Sequence, residues 1–326
     1  MHGDSHSATE IPAKGAPRGA DSQARYDAFM SRSAPEDDAR LRLDAFEATI
    51  RPITADDRPL LHELTVGVFW PHRAHDLDLF LSLGAGYIAL DEIGRPVGST
   101  MYFPMGGDFA MFGMMVTTPR LQSHGAGRRL LRRIMRDCAG RDLRLSATRS
   151  GYRLYHSAGF EPVGTIWQQQ GVARPIHLPE PVPGLGLRAL EPGDLGALRA
   201  LDAHAYGADR GKVLDAVLDL STGVVVTRGD EVCGYALMRP FGKGMVIGPV
   251  VAGDDATAMQ LVAPLIRECE GRFTRLDTPL QGEHFKAFLS AAGMGTYDTV
   301  TEMRIGPSRR SETGALLYGL AAHSMG

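Results

Sequence analysis

Residues 117–135 read TTPRLQSHGAGRRLLRRIM and place Gln122, Gly125 and Gly127 at the junction of an apolar strand and a helix. The first backbone N–H groups of a helix have no partner within the helix, and the positive end of its dipole lies at the same point. Glycines there let an anion approach the backbone, and Gln122 adds a side-chain donor. These residues therefore predict a binding site for a phosphate or pyrophosphate.

Two better-known phosphate loops do not match this stretch. No Lys-Ser/Thr pair follows the glycines, as a Walker loop requires. Leu130 occupies the position where a dinucleotide-binding fingerprint has its third glycine. A glycine pair also occurs in ordinary turns, so a purely structural turn is the alternative interpretation of the loop taken by itself.

The elements that must position this loop follow from the hydrophobic pattern around it. The segment FAMFGMMVTT before the loop has the continuous apolar character of a buried strand, and the helix is predicted from about Gly125 to Asp137. Further strands are predicted at ATIRPITADD, GYIALDE, VGSTMYF, LRLSAT and TIWQQQGV. Helical segments are predicted at RPLLHELTVGVF and GYRLYHSAG.

The same order of segments occurs a second time in the chain. LRALEPGD resembles IRPITADD, and VVVTRGDEVCGYALMRP resembles YIALDEIGRPVGSTMYF. Equivalent glycines keep a nearly constant spacing: 136 residues from Gly98 to Gly234, 135 from Gly113 to Gly248 and 134 from Gly159 to Gly293. This near-constant offset predicts a duplicated domain.

Composition shifts divide the chain into five parts. The proline-rich segment RPIHLPEPVPGLG predicts a stiff, extended linker, because proline removes backbone donors and disfavours helix. The expected parts are a flexible N-terminal tail at 1–45, a first domain at 46–173, the linker at 174–186, a second domain at 187–307 and a C-terminal tail at 308–326.

The composition restricts the possible partners. The 326 residues are 44% apolar and carry a formal net charge of −3, which favours neither a nucleic acid nor an anionic membrane as a partner. The three cysteines are far apart and form no metal-ligand pattern. No apolar run reaches the ~18–20 residues of a membrane span, and the first residues lack the apolar core of a signal peptide. We expect a cytoplasmic protein with no metal and no membrane or nucleic-acid partner.

Two motifs in the first domain resemble those of the GNAT N-acetyltransferase superfamily. The strand and the loop that follows it are similar to the acetyl-CoA-binding motif Gln/Arg-x-x-Gly-x-Gly/Ala, carried here by Gln122, Ser123, His124, Gly125, Ala126 and Gly127. About thirty residues later, LYHSAGFEPVG resembles the Leu-Tyr-x-x-x-Gly-Phe signature of the same superfamily. The resemblance covers residues 46–172 directly and the second domain through the repeat, and the tandem arrangement resembles bacterial two-domain members.

The resemblance implies both a fold and a co-substrate. The implied fold is α/β (α+β), with two GNAT-like domains that each have a mixed, mostly antiparallel central sheet flanked by helices. The implied co-substrate is acetyl-CoA. Backbone groups of Met115, Val116 and Thr117 would pair with its pantetheine arm, and the N–H groups from Gly125 to Arg128 would hold its pyrophosphate together with Gln122.

The resemblance also implies a role for Tyr155, which matches the tyrosine that serves many GNAT enzymes as general acid. Attack of a neutral amine on a thioester expels a thiolate, and a nearby O–H donor assists its departure. The alternative is a half-buried aromatic that packs a helix against the sheet. The sequence departs from the family pattern at Thr148, where an asparagine is common, and at Thr117, where valine is common.

Five arginines follow the glycine loop on two adjacent rows of the predicted helix. One or two near the start of the helix are placed to reach the 3′-phosphate of the coenzyme. For Arg132, Arg133 and Arg136 we expect a solvated helix face.

The acceptor site is less constrained, because the family places its general base variably. The richest candidate segment is FWPHRAHDLDLF, which contains Trp70, His72, His75 and Asp76. Acidic and aromatic side chains there would suit a cationic amine, although such a cluster is also common in caps and surface contacts. Asp108 is a second candidate base or a turn residue.

The second domain lacks both motifs. Asp254 and Asp255 stand where the first domain has its glycine loop, and carboxylates repel a pyrophosphate. Leu289 falls opposite Tyr155 and cannot donate a proton. This half is expected to cover the acceptor cleft, to supply substrate contacts or to form a homodimer surface.

The sequence therefore predicts an acetyl-CoA-dependent N-acetyltransferase that acts on a small-molecule primary amine by direct transfer. Two alternatives stay open: a non-catalytic acyl-CoA sensor, and an acyltransferase that uses a different acyl-CoA.

Overall fold

The computed structural model describes residues 19–31, 40–43, 46–118, 125–280 and 282–326. The predicted phosphate-binding residues Gln122, Ser123 and His124 lie outside the described residues.

The first half contains an N-terminal helix and then the segments that the hydrophobic pattern predicts. The helices are α1 (Ala20–Met30), α2 (Arg58–Gly67), α3 (Ala74–Leu83), α4 (Ala126–Asp137) and α5 (Arg149–Ser157). The strands are β1 (Arg40–Leu43), β2 (Phe46–Pro52), β3 (Ala85–Asp91), β4 (Pro96–Met105), β5 (Phe109–Thr117), β6 (Asp142–Ala147) and β7 (Glu161–Val172).

The second half repeats this order from β2 onward. Its strands are β8 (Gly186–Ala189), β9 (Thr222–Arg228), β10 (Glu231–Phe241), β11 (Gly244–Ala252), β12 (Phe273–Thr278) and β13 (Gly295–Ile305), followed by an additional strand, β14 (Leu316–Gly319). Its helices are α6 (Leu195–Tyr206), α7 (Gly211–Leu218), α8 (Asp255–Glu268) and α9 (Glu283–Ala291). The predicted fold class, mixed α/β with two similar domains, is confirmed.

The two halves share one sheet because they exchange their final strands. The strand order is β1-β2-β3-β4-β5-β6-β13-β7-β12-β11-β10-β9-β8, with β14 paired to β11. Strand β13 of the second half therefore lies between β6 and β7 of the first half, and β7 lies between β13 and β12. Only β5·β6 and β11·β12 are parallel among the described pairs, and a core that contains Phe80 and Met101 as well as Tyr206 and Leu214 joins the halves.

An ion pair of the same geometry begins each half. Arg51 donates to both carboxylate oxygens of Asp57 at 2.7 and 2.6 Å, and the Thr54 N–H donates to Asp57 at 2.8 Å. In the second half, Arg188 donates to both oxygens of Asp194 at 2.7 Å. These pairs fix the turn between the first strand and the first helix in both copies.

A bulge turns β5 away from β6 in the first half. Ser99 pairs with Val116 and Met101 with Gly113, so β5 has one extra residue there, and Met114 has a left-handed backbone with φ 50°. The β5·β6 ladder ends at Phe112. Among the described residues no strand therefore pairs with the Met115–Thr117 edge that faces β6.

The corresponding edge of the second half is occupied by the chain itself. β10 and β11 have a similar register shift, and the β11·β12 ladder covers Met245 and Val246. Beyond it, Val250, Val251 and Ala252 pair with β14 in antiparallel register. The predicted C-terminal tail at 308–326 is therefore wrong for its last part, because this segment completes a strand pairing and most of residues 317–326 are buried.

The predicted flexible tail at 1–45 also contains an ordered helix. Ser22 in α1 donates to the Gly159 carbonyl at 2.6 Å, and the Phe29 side chain is buried against α4. A Cβ at Gly159, where φ is 92°, would meet the backbone of Ser22. The sequence signal for α1 is weak because its apolar residues do not line up along one face of the helix, and its contacts with α4 and α5 hold it in place.

Candidate active site

Two adjacent cavities lie where β5 and β6 diverge. The first, of about 690 Å³, lies beside the start of α4 and is called the helix cavity here. The second, of about 470 Å³, lies between the halves and is called the interdomain cavity. Their shared lining consists of Val68, Trp70, Met115, Thr148 and Tyr155.

The helix cavity contains the residues that the glycine motif singled out. Met115, Val116, Thr117, Gly125, Gly127 and Arg128 line it. Gly125 caps α4 with φ 82°, a conformation that favours glycine. A side chain at Gly127 would press on Leu154 of α5 at 3.2 Å. The cavity thus combines an open strand edge, which can pair with an extended chain, with the N-terminus of a twelve-residue helix, which can bind an anion.

Tyr155 lies at the junction of the two cavities. Thr148 caps α5 by accepting from the Gly151 N–H at 3.3 Å, and the Tyr155 ring packs edge-on against Phe160. A Cβ at Gly151 would lie 2.9 Å from the Tyr155 ring, so glycine is needed for the ring to take this position. Burial raises the pKa of Tyr155 well above its ordinary value, which keeps the hydroxyl protonated and able to donate.

Two of the four predicted acceptor residues line the interdomain cavity, namely Trp70 and His72. The His72 ring lies between the rings of Trp70, Phe80 and Phe241 at 5.4–5.7 Å. Burial, with the nearby charge of Arg275, lowers the pKa of His72 to about 3, so the imidazole is neutral. Its Nδ1 atom and the Ser146 hydroxyl are buried without a hydrogen-bond partner among the described residues, which leaves two polar atoms available to a polar ligand.

The other two predicted acceptor residues have a different environment. Asp76 is buried and accepts from the backbone N–H groups of Arg73 at 2.8 Å and Gly242 at 3.0 Å. Its other oxygen lies 3.6 Å from Arg239. Asp76 therefore joins α3 to the β10–β11 turn, and neither it nor the half-exposed His75 is part of the cavity lining.

Two further expectations concern single residues. Asp108 lies in the turn between β4 and β5, as its alternative interpretation predicts; it is 70% exposed and pairs with Arg309 at 2.7 Å, outside both cavities, so it does not line the acceptor site. Arg132 is 5% exposed and donates to the Phe29 carbonyl at 3.2 Å. The expected solvated face is therefore wrong for Arg132, because α1 covers it.

The second half contributes polar residues that the sequence did not single out. Asp277 and Arg275 on β12, His323 and Ser324 near the end of the chain, and Asp298 on β13 line the interdomain cavity. Arg275 Nε lies 2.9 Å from both oxygens of Asp277, and His323 Nε2 lies 3.1 Å from Asp277 Oδ2. The sequence feature that pointed to this group was the aspartate inside the strand FTRLDT. A carboxylate within a central strand is buried only when it has partners.

The position in the second half that corresponds to the helix cavity is filled. Asp254 caps α8 by accepting from the Thr257 N–H at 2.8 Å. Asp255 accepts from the Phe285 N–H at 3.2 Å and from the Tyr318 hydroxyl at 2.9 Å. Protein carboxylates and β14 thus occupy the places where the first half offers a helix N-terminus and a free strand edge.

Neither a metal cluster nor a membrane span was found in the part of the chain that the structure describes. No group of three or more His, Cys, Asp or Glu side chains is arranged to hold a metal ion there. No helix in that part is both long and apolar enough to cross a membrane.

Family comparisons match both halves of the chain. Residues 83–162 match one family and residues 198–319 match another, and each is described as an acetyltransferase (GNAT) domain. The first match contains β5, the glycine loop and Tyr155. The second contains α8, β12 and β14.

Individual relatives are similar in sequence or in fold. An uncharacterized N-acetyltransferase of Bacillus subtilis, YitH, is 24% identical over 233 residues, covering 69% of this chain and 79% of that protein. A putative acetyltransferase from Pyrococcus horikoshii has a TM-score of 0.71 at 20% identity, covering 88% and 98% of the two chains. A tandem GNAT protein from the clavulanic acid biosynthesis pathway has a TM-score of 0.58 at 15% identity, covering 80% and 99%. The structural likenesses concern the fold alone.

Proposed function

Because both halves of this chain belong to the GNAT acetyltransferase family, we propose that it transfers the acetyl group of acetyl-CoA directly to the primary amine of a small molecule. The observation that carries the proposal is the position of Tyr155, whose side chain lines both the helix cavity and the interdomain cavity. A donor at that junction can serve a reaction between a ligand in one cavity and a ligand in the other.

The helix cavity is the proposed acetyl-CoA site. The Met115–Thr117 edge would pair with the pantetheine arm, and the N–H groups from Gly125 to Arg128 would hold the pyrophosphate. Gln122, Ser123 and His124 remain proposed contacts by motif alone. Acetyl-CoA supplies the thioester: a C–N bond forms to the amine, the C–S bond breaks, and the electron pair leaves on sulfur.

Tyr155 is the proposed general acid. Its hydroxyl stays protonated and would donate a proton to the departing sulfur, which avoids leaving a bare thiolate there.

The interdomain cavity is the proposed acceptor site. It is lined by both halves and has about 470 Å³, which suits a small molecule better than a protein surface. Trp70 and Tyr297 provide aromatic faces, and Asp298 provides a carboxylate, a combination that suits a cationic amine. His72 and Ser146 offer unpaired polar atoms to its other groups. We also propose a cytoplasmic location, which agrees with three unpaired cysteines.

The test is to incubate the protein with acetyl-CoA and a panel of primary amines, measuring thiol release and product mass. The expected result is turnover with a subset of small amines and a mass gain of one acetyl group. Tight coenzyme binding without turnover of any amine would favour the sensor alternative. Preferential use of a longer or acidic acyl-CoA in competition would favour the different-acyl alternative.

A further inference from the structure

The last segment of the chain, residues 316–326, lies across both halves. It begins with β14 on the edge of β11. Next, the Leu320 carbonyl approaches so closely that a Cβ at Gly248 would collide with it. Further along, Ser324 lies against Gly113, where a Cβ would collide with its side chain. Gly113 and Gly248 are equivalent positions of the repeat. The segment therefore packs closely against a glycine at the same position in each half.

Both ends of this segment are fixed. Tyr318 donates to Asp255 at 2.9 Å, and the Leu320 N–H donates to the Asp277 carbonyl at 2.9 Å. At the other end, buried Arg210 donates to the carbonyls of Met325 and Gly326. Residues 321–324, held between these anchors, line the interdomain cavity.

His323 is the titratable residue that this segment brings to the cavity. Its Nε2 lies 3.1 Å from Asp277 Oδ2 and 3.3 Å from Arg275 Nη2, and its side chain is 23% exposed. Arg275 is already paired with both oxygens of Asp277 at 2.9 Å. The shorter contact is with a carboxylate, which accepts a hydrogen bond from a ring N–H. This contact favours the tautomer with the proton on Nε2 and a free Nδ1.

From this arrangement we propose that His323 is the general base of the reaction and that Asp277 is its positioning residue. The inference rests on the proposed acetyl transfer. The catalytic site would then be composite, with the acid Tyr155 from the first half and the base from a segment docked in the second half.

The protons balance in this scheme. A primary ammonium loses two protons when it becomes an amide. His323 Nδ1 would take one and release it to solvent, which frees the nitrogen lone pair for attack. Tyr155 gives its proton to the sulfur, and the second proton of the amine nitrogen replaces the one that Tyr155 has lost.

Other groups that face the cavity are less suited to this task. His72 holds no proton near neutral pH because burial lowers its pKa to about 3. For Asp277, burial opposes ionisation, but the charge of Arg275 holds its pKa far below the ordinary range. Asp277 therefore stays ionised and paired with Arg275 and His323. Asp298, on β13, is available to bind the ammonium group.

The experiment compares His323→Gln with the wild-type protein and with His177→Gln, a matched change on the exposed linker, using an amine that the panel identifies. For His323→Gln we expect kcat/KM for the amine at neutral pH to fall about 100-fold or more. The Kd for acetyl-CoA, measured by calorimetry, should change less than about twofold. His323→Ala should regain part of its activity with added imidazole. Wild-type turnover and pH profile in His323→Gln would overturn the inference, whereas absence of turnover in the wild type would overturn the proposed function instead.

A measurement without turnover tests the same arrangement. Nitrogen-detected NMR of the histidine rings should show the Nε2–H tautomer for His323, assigned by its loss in His323→Gln. The signal should shift in Asp277→Asn. A proton on Nδ1 in the wild-type protein would overturn the assignment of the base even if no acceptor amine had been identified.

Discussion

At the scale of residues, Tyr155 and Gly125 carry the two chemical roles of the proposed site. Both were identified from motifs, and both lie on the lining of the helix cavity. Tyr155 would act on the departing sulfur and Gly125 on the binding of the pyrophosphate, so changes at the two positions should affect different kinetic quantities.

For Tyr155→Phe we expect kcat to fall about 100-fold or more, since the proton donor is lost while the ring that packs against Phe160 is kept. The Kd for acetyl-CoA should stay within about twofold of the wild-type value. Steady-state kinetics and calorimetry on the same preparation check both numbers. Full activity would limit Tyr155 to a packing role.

For Gly125→Glu we expect loss of coenzyme binding, because the change places a negative charge at the helix N-terminus and a side chain at φ 82°. The matched control is Gly140→Glu. Gly140 also has φ 82° but is not on the lining of either cavity. Acetyl-CoA affinity within twofold of the wild type in Gly125→Glu would contradict the site assignment.

At the scale of elements, the two copies keep the turn that starts each half but differ at the edge of the fifth strand. The Arg51–Asp57 pair and the Arg188–Asp194 pair have the same geometry. The Met115–Thr117 edge is open, whereas Val250–Ala252 pairs with β14. The two halves therefore share the turn and differ at the edge, where only the first half has an open cavity among the described residues.

For Asp57→Asn we expect the melting temperature at pH 7 to fall by a few degrees, on the order of 2–4 °C. Hydrogen bonds from Arg51 hold the pKa of Asp57 below its ordinary value. The stabilisation is therefore present above the ordinary carboxyl pKa, about 4, and is lost as pH falls through the lower folded value. The difference from the wild type should shrink in melts toward pH 3. Asp56→Asn, at the exposed neighbour, should have little effect at either pH, and an equal loss there would argue against the pair.

We expect one coenzyme per chain, because β14 and the Asp255 carboxylate fill the second copy of the site. Calorimetric titration with acetyl-CoA should give a stoichiometry close to one. In Gly125→Glu no residual binding is expected. A second site that survives this substitution would mean that the 316–326 segment leaves the β11 edge in solution.

At the scale of the whole molecule, the exchange of β7 and β13 joins the two halves in one sheet. Each half supplies a central strand to the other, and the interdomain cavity is lined from both sides. The linker at 174–186 thus connects halves that are already joined through the sheet.

Separate expression of residues 1–173 and 174–326 should give two chains that lack a cooperative thermal transition, because each would have an unsatisfied sheet edge. Co-expression should restore a complex on gel filtration. As a control, cleavage of the folded protein within the linker should leave the halves associated. Two stable, monomeric halves would contradict the exchange.

The sequence by itself determined the family, the repeat and the coenzyme motif. These depend on local patterns: glycines at a strand–helix junction, Tyr155 before Gly159 and Phe160, and equal spacing between the copies. Such signals are contiguous in the chain and need no knowledge of distant contacts.

Only the tertiary structure decided the acceptor side. Asp76 is of a residue type common in active sites, but it accepts hydrogen bonds from two backbone N–H groups and lies beside Arg239. His323 has no local signal at all, and it reaches the interdomain cavity because β14 docks on β11 about seventy residues away in sequence. Long-range strand pairing leaves little trace in local periodicity, which is why the exchange of β7 and β13 and the path of the 316–326 segment became visible only in the fold.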